Sequence, residues 1–163
     1  MSTNSYAERQ AIVMLDGTPT FQNEADRERE NEVAKEVMKA WSTEKKGELK
    51  MFHFAPLSPI DWYAVRYDRV VGLAELKSAL GVPVNKFTYC WLNVRKWLAL
   101  SLGSVGMGTP ALFFVKFEDG IRWIPLNRID ATNHRIGGCR KIVKSNGDIE
   151  PVIEVPIASM REL

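Results

Sequence analysis

The hydrophobic pattern of the chain changes its period at Met51, from the spacing of a helix to that of strands. Residues 24–43 carry one apolar stripe without an intervening Gly or Pro, and its members are Val33, Ala34, Val37, Met38 and Trp41. Steps of three and four residues predict an amphipathic helix. Beyond Met51, the β-rich runs MFHFA, WYAVR and RVVGLAELK predict three short strands, with a turn at Tyr67 and Asp68 between the last two.

A second helix is predicted over residues 86–102, with Asn85 as its N-terminal cap. Its apolar face would be formed by Phe87, Trp91, Val94 and Leu98. The glycine-rich stretch GSVGMGTP, which begins at residue 103, would end it.

The remainder of the chain is typical of strands. ALFFVKF is a strongly apolar run that a turn at residues 118–120 joins to IRWIPL. A final hairpin is predicted between CRKIVK and IEPVIEV, with its turn at residues 145–148. The order of elements predicts an α+β fold, in which helices flank a central mixed β-sheet and a β-hairpin follows near the C-terminus.

The composition is that of a globular protein: 45% of the 163 residues are hydrophobic and 26% are charged. We expect one domain over residues 23–163 after a partly flexible N-terminal arm, residues 1–22. No apolar run approaches the ~18–20 residues that a membrane helix needs. Cys90 and Cys139 are too few for a disulfide scaffold, and no signal peptide is apparent, so a reduced, cytoplasmic setting is expected.

Asp61 and Glu75 lie on successive predicted strands, and Lys77 lies two residues beyond Glu75. In a hairpin centred on Asp68, Asp61 would face Glu75, with their Cβ atoms about 5 Å apart. Two such carboxylates repel unless a cation lies between them, and Mg²⁺ prefers oxygen ligands of this kind. A water made more acidic by the metal can attack a phosphodiester, and Lys77 could orient that water or neutralise charge on the phosphate.

This geometry requires an irregular hairpin. A two-residue turn centred between Asp68 and Arg69 would pair Asp61 with Leu76 and send Glu75 to the opposite face. A three-residue loop or a β-bulge is therefore needed.

Glu-x-Lys alone carries little information, because it also occurs at Glu44 and Glu48. Only the copy at Glu75 ends an apolar strand, where charges are costly unless they are exposed or functional. The alternative is that Glu75 and Lys77 form a solvated strand end and that Asp61 caps a turn.

Pro59-x-Asp61 followed by Glu75-x-Lys77 resembles the motif of the PD-(D/E)xK nuclease superfamily. The order of elements over residues 24–118 is similar to the core of that family, and GGCRKIVKSNGDIEPVIEVP is similar to the tail of its phage-encoded members. The chain departs from the motif in one respect, since Pro59 stands two residues before the aspartate rather than next to it.

The resemblance implies cleavage of DNA that depends on Mg²⁺, for which Mn²⁺ could substitute. Asp61 and Glu75 would be metal ligands, the carbonyl of Leu76 a further ligand, and Lys77 the catalytic lysine. Many members of the superfamily dimerise to cut two strands, so a homodimer is a further expectation.

Members of this superfamily often add a glutamate from the first helix, and the candidate here is Glu30. It precedes Val33 by three residues and Val37 by seven, so it lies on the apolar stripe, where a carboxylate needs a partner. Alternatively, the helix frays in its first turn and Glu30 is solvated.

Basic residues supply candidate DNA contacts. Lys96 on the second helix lies opposite the predicted apolar stripe, where members of the superfamily often contact the DNA backbone. A basic stretch without an acid between Ala131 and Gly147 adds Arg135, Arg140, Lys141 and Lys144. Surface residues of a helix and of a solvated hairpin are the alternative.

Two other functions stay open at this point. One is a DNA-binding module of the same fold without catalysis, for which the acidic face would be dispensable. The other is a phage protein that binds a host factor and no DNA.

Overall fold

A computed structural model of the chain describes residues 12–13, 19–20, 24–55, 58–79, 81–136 and 151–163. Its helices are α1 (Glu24–Trp41) and α2 (Val94–Met107). Its strands are β1 (Ile12–Val13), β2 (Pro19–Thr20), β3 (Lys50–His53), β4 (Trp62–Arg66), β5 (Arg69–Ser78), β6 (Tyr89–Asn93), β7 (Ala111–Phe117), β8 (Gly120–Pro125), β9 (His134–Ile136), β10 (Pro151–Pro156) and β11 (Arg161–Glu162).

The central sheet has six strands in the order β11-β8-β7-β5-β4-β3. Strands β5 and β7 are parallel, and the other neighbours in this sheet are antiparallel. A second, antiparallel sheet has the order β6-β10-β9, and β1 pairs with β2. The predicted α+β architecture with a mixed central sheet is confirmed.

The two helices cover opposite faces of the central sheet. Leu76 of β5 belongs to the buried cluster that contains Val33 of α1, whereas Leu73 belongs to the cluster that contains Leu100 of α2. Because side chains alternate between the faces of a strand, Glu75 points to the α2 face together with Leu73.

The first helix and five strands of the central sheet form close to where the sequence predicts them, whereas the edge strand β11 has no counterpart in the prediction. Val33, Ala34 and Val37 are buried, as the stripe on α1 requires. WYAVR and ALFFVKF coincide with β4 and β7.

The second helix begins later than predicted. Tyr89–Asn93 form β6, because β10 supplies a pairing partner that the local pattern does not reveal. Helix α2 begins after Asn93, whose side chain accepts a hydrogen bond of 2.8 Å from the backbone N–H of Arg95. The prediction of a helix from residue 86 capped by Asn85 is therefore wrong.

The glycine-rich stretch also does not end α2 at residue 103. The helix continues through Gly103 to Met107 and stops where Gly108 adopts the left-handed conformation, with φ at 61°.

The face of α2 that packs on the sheet differs from the predicted one. Leu100 is fully buried, whereas Leu98, a member of the predicted apolar face, is 49% exposed. An alanine methyl at Gly103 would lie 2.6 Å from Ile60 Cδ1, so Gly103 also faces the sheet. The inner face is thus defined by Leu100 and Gly103.

Of the predicted C-terminal hairpin, only the strand that becomes β10 (Pro151–Pro156) is described, and its predicted partner CRKIVK lies outside the described residues. Strand β10 pairs antiparallel with β9, with Pro151 opposite Ile136. The predicted turn at residues 145–148 lies outside the described residues. Neither helix of the described part combines the length and the hydrophobicity that a bilayer crossing requires.

Candidate active site

The β4–β5 hairpin contains the bulge that the spacing of its acidic residues demands. A two-residue turn at Tyr67 and Asp68, with φ of 50° and 57°, leaves Arg66 opposite Arg69. The register then shifts, because Val65 pairs with Val70 but Ala64 pairs with Gly72. Val71 is the extra residue.

The shifted register brings Asp61 opposite Glu75. Trp62 pairs with Ala74, so the same register carried one residue further puts Asp61, which precedes β4, opposite Glu75. The backbone carbonyl of Asp61 accepts a hydrogen bond from Phe54 N, so its peptide group points away from β5. Opposed residues of this kind form a non-hydrogen-bonded pair, in which the side chains approach more closely.

Glu75 is buried in an environment that disfavours its charge. Its side chain is only 8% exposed, and Oε2 has no hydrogen-bond partner. Burial raises the pKa of Glu75 well above its usual value, and the negative charge of Asp61 and a hydrogen bond with Asp61 raise the pKa further. The positive charges of Lys96 and Lys77 offset only part of this effect.

Lys96 forms ion pairs with both carboxylates. Its ammonium group donates a hydrogen bond to Asp61 Oδ1 and lies 3.7 Å from Glu75 Oε2. The side chain of Lys96 is 20% exposed. Burial by itself would lower the pKa of Lys96, but the charges of Glu75 and Asp61 outweigh it and raise the pKa. The prediction that Lys96 lies opposite the packed face of α2 is wrong. Lys96 precedes Leu100 by four residues and shares the inner face of the helix.

Lys77 points to the same face of β5 as Glu75. Its Nζ donates a hydrogen bond of 2.7 Å to the carbonyl oxygen of Trp91 on β6. The bond fixes the direction of the lysine side chain and links the candidate site to the second sheet.

The carbonyl group of Leu76 faces the side of β5 where β4 has ended. Leu73 donates its N–H to Pro110, toward β7. Peptide groups of a strand alternate in direction, so those of Leu76 point the other way, beyond the end of β4 at Trp62.

Glu30 of α1 lies on the other face of the sheet, beside Trp62. Its Oε2 accepts a hydrogen bond of 3.4 Å from Trp62 Nε1. Its negative charge contributes to the raised pKa of Lys96. Glu30 is therefore partly buried and close enough to act electrostatically on Lys96.

The predicted DNA contacts are only partly described. Arg135 of β9 forms an ion pair of 3.1 Å with Glu154 and lies 5.3 Å above the ring of Trp91. Arg140, Lys141 and Lys144 lie outside the described residues.

The residues that converge at the N-terminal end of β4 have the chemistry that a hard divalent cation prefers. Two carboxylates and one peptide carbonyl, from Asp61, Glu75 and Leu76, are oxygen donors, and the buried Glu75 Oε2 has no hydrogen bond. Among the described residues, no three His, Cys, Asp or Glu side chains are grouped as a complete metal centre. A metal ion here would therefore depend on a backbone oxygen and water in addition to the carboxylate pair.

Comparisons with known proteins agree with this architecture. A family model described as "Phage putative PDDEXK endonuclease" matches residues 17–163. Among solved structures, Hjc, a Holliday junction resolvase from Archaeoglobus fulgidus, is similar with a TM-score of 0.54 and 13% identity, over 85% of this chain and 92% of that chain. At this identity the likeness concerns the fold, which is restriction-endonuclease-like. No curated protein matches the chain.

Proposed function

The chain belongs to the family of phage PD-(D/E)xK endonucleases, and from this premise we propose that it is a Mg²⁺-dependent deoxyribonuclease that hydrolyses phosphodiester bonds of DNA. The supporting observation is the convergence of Asp61 and the buried Glu75 at the N-terminal end of β4, where Lys96 forms ion pairs with both. Desolvated carboxylates are expensive in a purely structural role, and a divalent cation offsets their cost.

In this proposal Asp61, Glu75 and the carbonyl of Leu76 hold the metal ion. When bound, the ion would supply Lewis-acid chemistry by neutralising phosphate charge and increasing the acidity of water. Mn²⁺ would substitute, because it prefers similar oxygen ligands.

Lys77 is proposed to act at the reacting phosphate. Its ammonium group lies on the same sheet face as Glu75, and the bond to Trp91 O holds its side chain in one direction. A cation fixed beside the phosphate stabilises negative charge in the transition state. Glu30, which accepts a hydrogen bond from Trp62, is proposed to contribute through its negative charge, which acts on Lys96.

DNA is proposed to approach along the β6-β10-β9 sheet. Arg135 on β9 stacks over Trp91, next to the carbonyl that binds Lys77. Arg140, Lys141 and Lys144 would extend this contact, since lysine and arginine bind phosphates without reading sequence. Action in the cytoplasm of a host, and dimerisation for cutting both strands, complete the proposal.

A nicking assay tests the activity. Wild-type protein is incubated with supercoiled plasmid, linear duplex and a four-way junction, in Mg²⁺, Mn²⁺ or EDTA. Asp61→Asn and Lys77→Met should each lower the cleavage rate by at least ~100-fold. Glu48→Gln and Lys50→Met are matched controls, since these side chains form a second, exposed Glu-x-Lys pair.

The outcomes separate the alternatives. Cleavage in EDTA, or equal rates for the wild type and both site variants, would contradict the assignment. DNA binding without cleavage of any substrate would support the silent DNA-binding module. Light scattering of the same sample, with and without DNA, measures whether the chain dimerises.

A further inference from the structure

The ammonium group of Lys96 occupies the region between the two candidate metal ligands. It donates to Asp61 Oδ1 and lies 3.7 Å from Glu75 Oε2. Its side chain is about as protected from solvent as that of Asp61, with 20% and 23% exposed. Lys96 is therefore not an ordinary surface lysine, because its ammonium group is shared by the partly buried Asp61 and the buried Glu75.

The packing of α2 brings this lysine to the sheet. Lys96, Leu100 and Gly103 follow one another at steps of four and three residues, so they share one side of the helix. Gly103 lets the helix approach closely, because even a methyl group there would lie 3.0 Å from Leu73 Cδ1. The close approach therefore holds Lys96 on the face of β5 that carries Glu75.

A lysine and a divalent ion compete for the same oxygen atoms. An ammonium group neutralises two carboxylates only in part, and two cations within a few ångströms of each other repel strongly where water is excluded. Asp61 and Glu75 cannot serve both cations at full strength, so binding of one must weaken contacts to the other.

We propose that Lys96 is a resident counter-ion of the candidate metal site, which keeps Asp61 and Glu75 together in the metal-free protein and withdraws from them when a divalent ion binds. The inference rests on the proposed function and assigns Lys96 a role that differs from a DNA contact. Lys96 is then a positioning residue, because it acts through the two carboxylates and sets how tightly the metal is held.

The test compares metal affinities without DNA. Binding of Mn²⁺ to the full chain is measured by calorimetry at pH 8 for the wild type, Lys96→Met and Lys96→Gln. Removing the competing charge should tighten Mn²⁺ binding by about tenfold or more. Lys116→Met is the matched control, because Lys116 forms an ion pair with Glu36 outside this site and its loss should leave Mn²⁺ affinity unchanged.

The same variants should report the structural half of the role. Without metal, Lys96→Met leaves two carboxylates without their counter-ion, so its melting temperature in EDTA should fall below that of the wild type. Saturating Mg²⁺ should recover most of this loss, whereas it should not recover a loss caused by Lys116→Met.

A measurement on the wild type covers the case in which the Lys96 variants fail to fold. Lysines are labelled by reductive methylation with and without Mg²⁺ and quantified by mass spectrometry. Labelling of Lys96 relative to Lys116 should rise when Mg²⁺ binds. Labelling of Lys96 that does not change with Mg²⁺ would overturn the inference, as would Mn²⁺ affinity that is unchanged or weaker in the Lys96 variants. In either case, metal binding and DNA cleavage by the wild type would still support the nuclease assignment. If the wild type neither binds metal nor cleaves DNA, the proposed function itself fails and this inference fails with it.

Discussion

Gly103 of α2 faces Leu73 of β5 so closely that an alanine methyl in its place would lie 3.0 Å from Leu73 Cδ1 and 2.6 Å from Ile60 Cδ1. Gly106, one turn further on, has open space around the same position. Gly106→Ala should therefore raise the free energy of unfolding by about 0.5–1 kcal/mol through helix propensity. Gly103→Ala should instead lower it by roughly 1–3 kcal/mol, because the helix or the side chains beneath it must move.

Urea unfolding of the two variants checks this contrast. Equal stabilities for Gly103→Ala and Gly106→Ala would show that the side chains of Ile60 and Leu73 can move aside without lowering the free energy of unfolding. A shift of α2 should also weaken the contact between Lys96 and Asp61, so increased labelling of Lys96 in Gly103→Ala is a second expected result.

Glu75 should oppose folding at neutral pH in the metal-free protein. Burial raises the pKa of Glu75 in the folded state. Its contribution to the free energy of unfolding is therefore fully present below the pKa of the unfolded chain, near 4.5, where the carboxyl is protonated in both states. It is lost as the pH rises from that value through the higher folded pKa. Glu75→Gln should remove this decline and make the protein more stable at pH 8 by about 1 kcal/mol or more.

Urea unfolding in EDTA at pH 5 and pH 8 measures the effect. Glu48→Gln, an exposed exchange of the same kind, should leave the pH dependence unchanged. A Glu75→Gln protein that is less stable than the wild type at pH 8 would show that the contact with Lys96 outweighs the cost of burial. Under the proposed function this variant should also lose Mg²⁺-dependent cleavage.

Asp68 is a stabilisation target because it adopts a left-handed conformation, with φ at 57°. Glycine adopts this conformation without the steric cost that other residues bear, so Asp68→Gly should raise the free energy of unfolding by about 0.5–1 kcal/mol. Asp130→Gly should have the opposite effect, since Asp130 Oδ1 accepts hydrogen bonds from Thr132 N and Thr132 Oγ1. Thermal melts that rank the two variants in reverse order would contradict this account.

Cys90 should react slowly with alkylating reagents. Burial raises the pKa of its thiol to about 11. At pH 8 its thiolate population is then reduced by roughly a hundredfold relative to an ordinary thiol. The rate of iodoacetamide modification in a Cys139→Ser protein measures Cys90 alone, and it should rise to that of a model thiol in urea. A fast reaction in the folded protein would show that Cys90 is accessible and ionised.

The acidic pair could be predicted because it depends on local spacing. Alternation along β4 and β5 fixes which residues share a face, and the number of residues between Asp61 and Glu75 requires a bulge if they are to meet. The position of that bulge, at Val71, could not be inferred, since nothing in RVVGLAELK distinguishes Val71 from Val70.

The start of α2 and the place of Lys96 on its packed face could not be predicted, for a common reason. Residues 89–93 become a strand through pairing with β10, about sixty residues away in sequence. A helix that starts at residue 86 puts the packed face at residues 87–98 and leaves Lys96 on the surface. Gly103 was the available signal, because a glycine inside a helix often marks close packing, and Lys96 lies seven residues before it.

Strand β10 has a consequence that reaches well beyond its own sheet. Its Glu154 pairs with Trp91, the residue whose carbonyl accepts the hydrogen bond from Lys77. Residues 151–156 thus hold in place the strand β6 to which Lys77 of β5 is hydrogen-bonded. A protein shortened to residue 150 would retain the carboxylate pair and every residue of the Glu-x-Lys motif, yet its lysine would lose the support that holds it in place.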